Sequence, residues 1–305
     1  MSLLVVGSVA IDSVETPYGR AESAIGGAAT YCAVAASFFV PVRMVAAIGD
    51  DFPQTTLDDL AARGIDLAGV ERRKGRTLNW KGRYHEDMNI RDTLHIDLGV
   101  FADFAPRVPA SYRDSTHVFL ANIDPVLQAS VLDQVSAPRV VGCDTMNYWI
   151  ESKRPDLERL LKRVGILVIN DEETRMLSGE RNVVRAARGV LGMGPQTLLV
   201  KRGEYGVIQF AADSIFAVPA FPLEEVFDPT GAGDCFAGGF MGELARSGDT
   251  SQAGLRRAIV YGSVLASFVV EDFSYKRLQG LTVDAIEKRY RQFVSLTDID
   301  CRGGA

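Results

Sequence analysis

A chain of 305 residues that is 47% hydrophobic can bury a large core, which excludes a disordered protein and favours one α/β domain with a small appendage over two equal domains. Its formal net charge of −6 comes without any block of Lys or Arg, so it lacks the basic footprint of a nucleic-acid binder; one pocket can still hold an anionic nucleotide with the help of a cation and local dipoles. Cys32, Cys143, Cys235 and Cys301 lie far apart with no CxxC pair, and His85, His95 and His117 lack zinc-ligand spacing, which excludes a disulfide framework and a structural metal.

The first element is a strand over residues 3–11, whose apolar start gives way to Gly7 and Asp12 too soon for a signal peptide. No run of eighteen apolar residues occurs, so a soluble cytoplasmic protein without a membrane partner is expected. Apolar runs at 42–48, 117–121, 139–143, 166–169 and 197–200 predict further strands, and helices fit between them at 28–39, 54–63, 125–135 and 155–164. Such alternation builds a parallel sheet covered on both faces, with ligand loops at the carboxyl ends of the strands. One stretch breaks the rhythm. Apolar residues take every second position from Thr77 to His85 and from Leu94 to Val100, predicting half-covered antiparallel strands. A lid over a pocket, or a surface for a second subunit, would give that apolar face something to cover; a hairpin packed on its own domain is the plainer alternative. The last third is helical, buried over 252–270 and amphipathic over 283–294, with a frayed, glycine-bearing tail.

The chemistry is concentrated in Asp228-Pro229-Thr230-Gly231-Ala232-Gly233-Asp234. Phe236, Phe240 and Leu244 then recur at helical spacing, so the glycines stand where a helix begins. A helix start presents unpaired N–H groups and about half a positive charge, and glycines let an anion come close, so the turn reads as a phosphate cradle. Asp234, in the first helical turn, is expected to be ionised at neutral pH and placed to take the proton of an attacking hydroxyl. A first-turn aspartate that merely caps its helix looks the same locally; the length of the whole string separates the two readings.

This string resembles the C-terminal signature of the ribokinase or PfkB family of carbohydrate and nucleoside kinases, and the resemblance covers nearly the whole chain. It implies one ribokinase-like α/β domain over residues 1–305, with a mainly parallel central sheet, flanking helices and a small antiparallel β lid formed by segments 12–23 and 72–102. It implies ATP and Mg²⁺, transfer of the γ-phosphate to a sugar hydroxyl, and a nucleoside as the alternative acceptor. By the same resemblance Asp234 is the catalytic base, Gly231, Ala232 and Gly233 form the anion hole, and Thr230 lies beside the nucleotide. Asn170 and Glu173 match the family's Asn-x-x-Glu at the Mg²⁺-phosphate site, acting partly through water, as suits an ion that keeps its waters. An Asn cap before an acidic first helical turn describes the same two residues.

Lys201, Gly203 and Gly206 resemble the family loop beside the nucleotide, although a plain β-turn looks alike. The helix carrying Tyr261, Gly262 and Ser263 borders the adenine on the same basis. Asp12, Gly26 and Gly27 match the residues set against acceptor hydroxyls, where one carboxylate can accept from two donors. Tyr31 departs from the signature, which has asparagine there. Tyr31, Trp80, Tyr148 and Trp149, with Asn122 and Asn147, offer ring faces and amides to a sugar or a nucleobase. Some relatives use a monovalent cation near the position of Asp228, and the lid invites a homodimer across a two-fold axis. A non-catalytic nucleotide-binding regulator is opposed by the joint presence of Asp234, Asn170 and Glu173. Neither Gly-x-Gly-x-x-Gly after the first strand nor a P-loop motif occurs, which excludes those two nucleotide folds.

Overall fold

Leu3, Leu4, Val5 and Val6 are all buried, Leu3 and Val5 in one apolar cluster and Leu4 and Val6 in another. A strand apolar on both faces belongs in the middle of a covered sheet. In the computed structural model, which describes residues 1–297, the chain order is β1 (Leu3–Val6), β2 (Ala10–Thr16), β3 (Gly19–Gly26), α1 (Ala28–Ala36), β4 (Val42–Ile48), α2 (Gln54–Ala62), β5 (Ile65–Arg72), β6 (Leu78–Tyr84) and β7 (Arg91–Asp97). Then follow β8 (His117–Leu120), α3 (Pro125–Leu132), β9 (Val140–Cys143), α4 (Asn147–Ser152), α5 (Arg154–Leu161), β10 (Ile166–Asn170), α6 (Asp171–Ser178), α7 (Val183–Leu191) and β11 (Thr197–Lys201). The chain continues through β12 (Val207–Ala211), β13 (Ser214–Val218), α8 (Ala232–Ser247), α9 (Gln252–Val269), α10 (Lys276–Gln279) and α11 (Val283–Thr297). Cys301 and the glycine-bearing tail lie outside the described residues.

The main sheet has the order β13-β12-β11-β10-β9-β8-β1-β4-β5, parallel except for the β12–β13 edge. Helices α1, α8 and α9 cover one face, and α3, α5 and α7 the other. A second sheet, β3-β2-β6-β7, forms the lid. No helix among the described residues is long and apolar enough to cross a membrane.

The expected strand over 3–11 is two strands in different sheets. Ser8 is spent on the start of α1, accepting from Ala28 N at its hydroxyl (3.1 Å) and from Ala29 N at its carbonyl (2.9 Å). The ladder therefore breaks at residues 7–9, and Asp12 lies inside a lid strand instead of at the end of β1. The period-two expectation holds for β6, where Leu78, Gly82 and Tyr84 are buried, and not for β7, where Leu94 and Ile96 are 44% and 56% exposed at the sheet edge.

Glycines set how closely α8 is held. A Cβ on Gly238 would fall inside the Cys32 carbonyl of α1, and one on Gly239 would come within 3.1 Å of the Gly262 backbone in α9. Replacing Gly238 with Ala should therefore lower stability by about 1 to 3 kcal/mol, read as a drop in melting temperature, because the α1 backbone at Cys32 cannot move aside.

Candidate active site

The helix of α8 opens at Gly231, whose φ of 78° needs no side chain in the way. Ala232 N bonds the Pro229 carbonyl and Cys235 N bonds that of Gly231, while the amides of Gly231, Gly233 and Asp234 have no partner among the described residues. Three donors are thus left open at one helix start. The turn is fixed from both sides. The Tyr31 ring lies 2.5 Å from where a Gly231 Cβ would be, and Tyr31 is 2% exposed, so it backs the turn. Buried Asp228 accepts from Thr230 N (2.9 Å) and Ser274 N (3.3 Å), tying the turn to the loop after α9.

Around this turn the carboxyl ends of β9, β10 and β11 bring Asp144, Glu173 and Lys201 together. Lys201 Nζ is 3.3 Å from Asp144 Oδ2, and it lies 2.9 Å from where a Gly233 Cβ would be. Asn170 and Glu173 form a capping box: Asn170 N donates to Glu173 Oε2 (2.8 Å) and Glu173 N to Asn170 Oδ1 (2.7 Å). The capping description of this pair therefore holds, and the capping glutamate also faces Lys201 and Asp144.

Burial, with Asp144 beside it, pushes the Asp234 carboxyl up to about 7 against the pull of Lys201 and Arg91. The expectation of a carboxylate fully ionised at neutral pH is corrected by this: desolvation outweighs the helix dipole. Burial likewise raises Glu173 to about 7, with Lys201 opposing and Asp144 adding to it. Burial alone would lower Lys201, but Asp144, Glu173 and Asp234 hold it above its ordinary value.

At the lid end, Asp12 is 5% exposed and its Oδ1 has no partner among the described residues; burial raises it to about 7 against the pull of the Trp80 backbone N–H. A Cβ on Gly26 would overlap the Asp12 carboxyl, and Gly27, at φ 92°, forms the N-cap of α1. Trp80 is half-buried and Tyr84 buried; Tyr84 accepts from Thr230 Oγ1 at 3.1 Å. The tip of the β6–β7 hairpin sets Asn89 against Gly203, so the lid also reaches the 202–206 loop, which closes through Gly206 N to the Gly203 carbonyl (3.1 Å). The structure thus brings Asp12, Gly26, Trp80, Thr230, Lys201, Gly203 and Asp234 around one lid. Asn147 instead is an exposed first residue of α4 whose Oδ1 accepts from Tyr148 N. Trp149 is occupied with Asn122, to which its indole N–H donates at 3.0 Å. Tyr261 turns to α11, donating to Glu287 and stacking on Tyr290.

Sequence reading missed Asp144, Arg91 and Ser274. Asp144 was findable, since it ends a predicted strand in the same way as Asn170 and Lys201 do; nothing local marks the other two.

An α/β fold with open amides at a helix start, a carboxyl in the first turn and a lysine facing it defines a phosphotransferase acting on hydroxyl groups. The family described as pfkB family carbohydrate kinase matches residues 1–276, and the chain belongs to that family. It is 34% identical over 266 residues to a cytidine kinase of Thermococcus kodakarensis, covering 85% of this chain and 95% of that protein. It is 27% identical over 291 residues to a nucleoside kinase of Methanothermobacter thermautotrophicus, covering 88% and 89%. Among solved structures, a putative ribokinase II from E. coli in complex with ATP and Mg²⁺ superposes with a TM-score of 0.77 at 20% identity, covering 95% of this chain and 99% of that one.

Because the folded state raises Asp234 from 3.8 to about 7, its contribution to stability is fully present below 3.8 and is lost as pH rises to about 7. Asp234→Asn should therefore raise the melting temperature of the unliganded protein, with a gain that grows across that window and is level above it. Melting curves from pH 4 to 9 check this. Gly26→Ala, which displaces the Asp12 carboxyl, should raise KM for the acceptor while leaving KM for ATP unchanged in steady-state kinetics.

Proposed function

We propose that the protein is an ATP-dependent nucleoside kinase that transfers the γ-phosphate to a hydroxyl of the ribose, with Asp234 as general base. The observation that carries this is the Asp234 carboxyl standing beside three amides with no protein partner. A carboxyl near 7 takes a proton well at neutral pH. The attacking oxygen bonds to the γ-phosphorus as the bond to the bridging β–γ oxygen breaks, ADP leaves, and the hydroxyl proton goes to Asp234. The amides of Gly231, Gly233 and Asp234, with the Lys201 ammonium, meet the charge on the phosphoryl oxygens, while Ala232 shapes the turn. Thr230, Gly203 and Gly206 line the nucleotide side. Asp12, with one free oxygen, accepts from the ribose hydroxyls, and Gly26 and Gly27 leave it room.

Mg²⁺, when bound, neutralises phosphate charge. Asn170 and Glu173 would hold it through water, since they already bond each other, and among the described residues no three His, Cys, Asp or Glu side chains form a cage of their own. A monovalent cation beside Asp228 belongs to the same reading: that carboxylate is 1% exposed and pairs with no cationic side chain among the described residues. Exposed Ile90, Leu94 and Ile96 on the lid support a homodimer, and an ATP-using enzyme of this kind works in the cytoplasm.

A free sugar is the second reading, since Asp12 can accept from the hydroxyls of either acceptor. The nucleoside is preferred because of the likeness to cytidine and nucleoside kinases and because Trp80, on the pocket side of the lid, offers a face to a base. ADP release measured over a panel of nucleosides and free sugars should be fast with nucleosides; turnover with sugars alone would overturn the acceptor assignment. Asp234→Asn should lower turnover with the best acceptor by about 10²- to 10⁴-fold. Near wild-type turnover in that variant removes the mechanism.

A further inference from the structure

Helix α8 is seated on α1 through its glycines, Gly238 against the α1 backbone at Cys32 and Gly242 against that at Ala36. Gly231, which opens the helix, meets the Tyr31 ring, three of whose carbons lie 2.5 Å from where a Gly231 Cβ would stand. Tyr31 holds the same turn a second time through its backbone, its carbonyl accepting from Cys235 Sγ at 3.6 Å. Its own amide donates to the Gly27 carbonyl at 3.2 Å, at the entry of α1, where Gly26 is packed on the Asp12 carboxyl. One residue thus joins the acceptor side of the site to the turn that carries the open amides.

The ring, not the hydroxyl, makes that link. Tyr31 is 2% exposed, and its hydroxyl has no hydrogen-bond partner among the described residues. Burial, with Asp228, Asp12 and Asp234 nearby, raises it well above its ordinary value, so it stays a neutral phenol. Gly231 has a φ of 78° and no side chain, so nothing of its own fixes the peptide that bears its amide. A flat, buried ring against it supplies what the glycine lacks. The gain for the reaction is geometric: a displacement of about 1 Å between reacting groups can cost about 10²-fold in rate.

We propose that Tyr31 is a positioning residue whose ring sets the distance between an acceptor held at Asp12 and the amides at the start of α8. The family signature has asparagine at this position, which offers no ring, so the prop is a feature of this chain. The proposal rests on the phosphotransfer reading above and goes beyond it in assigning part of the rate to a residue that acts through Gly231.

Three variants of the full chain test it, each assayed below its own melting temperature with ATP, Mg²⁺ and the best acceptor of the panel. Tyr31→Leu and Tyr31→Met keep apolar bulk and remove the planar ring; each should lower kcat by about 10²-fold with both KM values little changed. Tyr31→Phe, which restores the ring without the hydroxyl, should recover most of the rate. Wild-type kcat in Tyr31→Leu or Tyr31→Met overturns the proposal. A loss in Tyr31→Phe as large as theirs, or one confined to the acceptor KM, overturns it too, because the hydroxyl would then be an acceptor contact. Should loss of the ring prevent folding, Tyr31→Phe decides alone: rate retained supports the proposal and rate lost overturns it. Failure of the underlying reading looks different: the unaltered enzyme would release no ADP with any acceptor.

Discussion

Three backbone amides at the start of α8 are left without protein partners, and the rest of the molecule is arranged to keep them so. A helix start in solution would bond water or a capping side chain. Here the cap position is a glycine with no side chain to offer, the Tyr31 ring fills the space behind it, and Asp228 spends its oxygens on Thr230 and Ser274 instead of on the turn. Glycines along α8 let α1 and α9 come close enough to hold the helix in register with the sheet. The donors therefore stay open because neighbouring groups are already committed elsewhere.

The same arrangement gathers charge that a stable protein would avoid. Asp12, Glu173 and Asp234 are each raised to about 7, chiefly by burial, and Asp144 is raised as well, with the half-buried Lys201 the cation set among them. Desolvated carboxyls cost stability at neutral pH, and a site that needs a base of matched affinity accepts that cost. Supporting charge comes from two directions, the sheet edge and the lid, so no single element holds the whole set.

Much of this was legible in the amino-acid order, and the limits have physical causes. The covered parallel sheet follows from short runs such as 166–169 and 197–200, which are apolar on both faces. The glycine turn follows from a string long enough to be specific. The break of the first strand was not legible, because Leu3 to Ile11 is apolar enough for one strand and only the tertiary use of Ser8 as a cap interrupts it. Asn147 looked like a pocket residue from its place after β9, yet three positions separate it from Asp144, which lies inward, and Asn147 stands at an exposed helix start. Arg91 carries no local mark at all: its place depends on the β6–β7 register, which a sequence does not print.

The central claim is that the open amides and the Asp234 carboxyl share one phosphoryl group. A crystal structure with ADP, aluminium fluoride and the preferred acceptor tests it directly. The fluoride ligands should lie against the amides of Gly231, Gly233 and Asp234, with the acceptor oxygen at a hydrogen-bonding separation of roughly 2.6 to 3.2 Å from the Asp234 carboxyl. An aluminium fluoride group bound away from the turn, or an acceptor oxygen beyond reach of Asp234, contradicts the account.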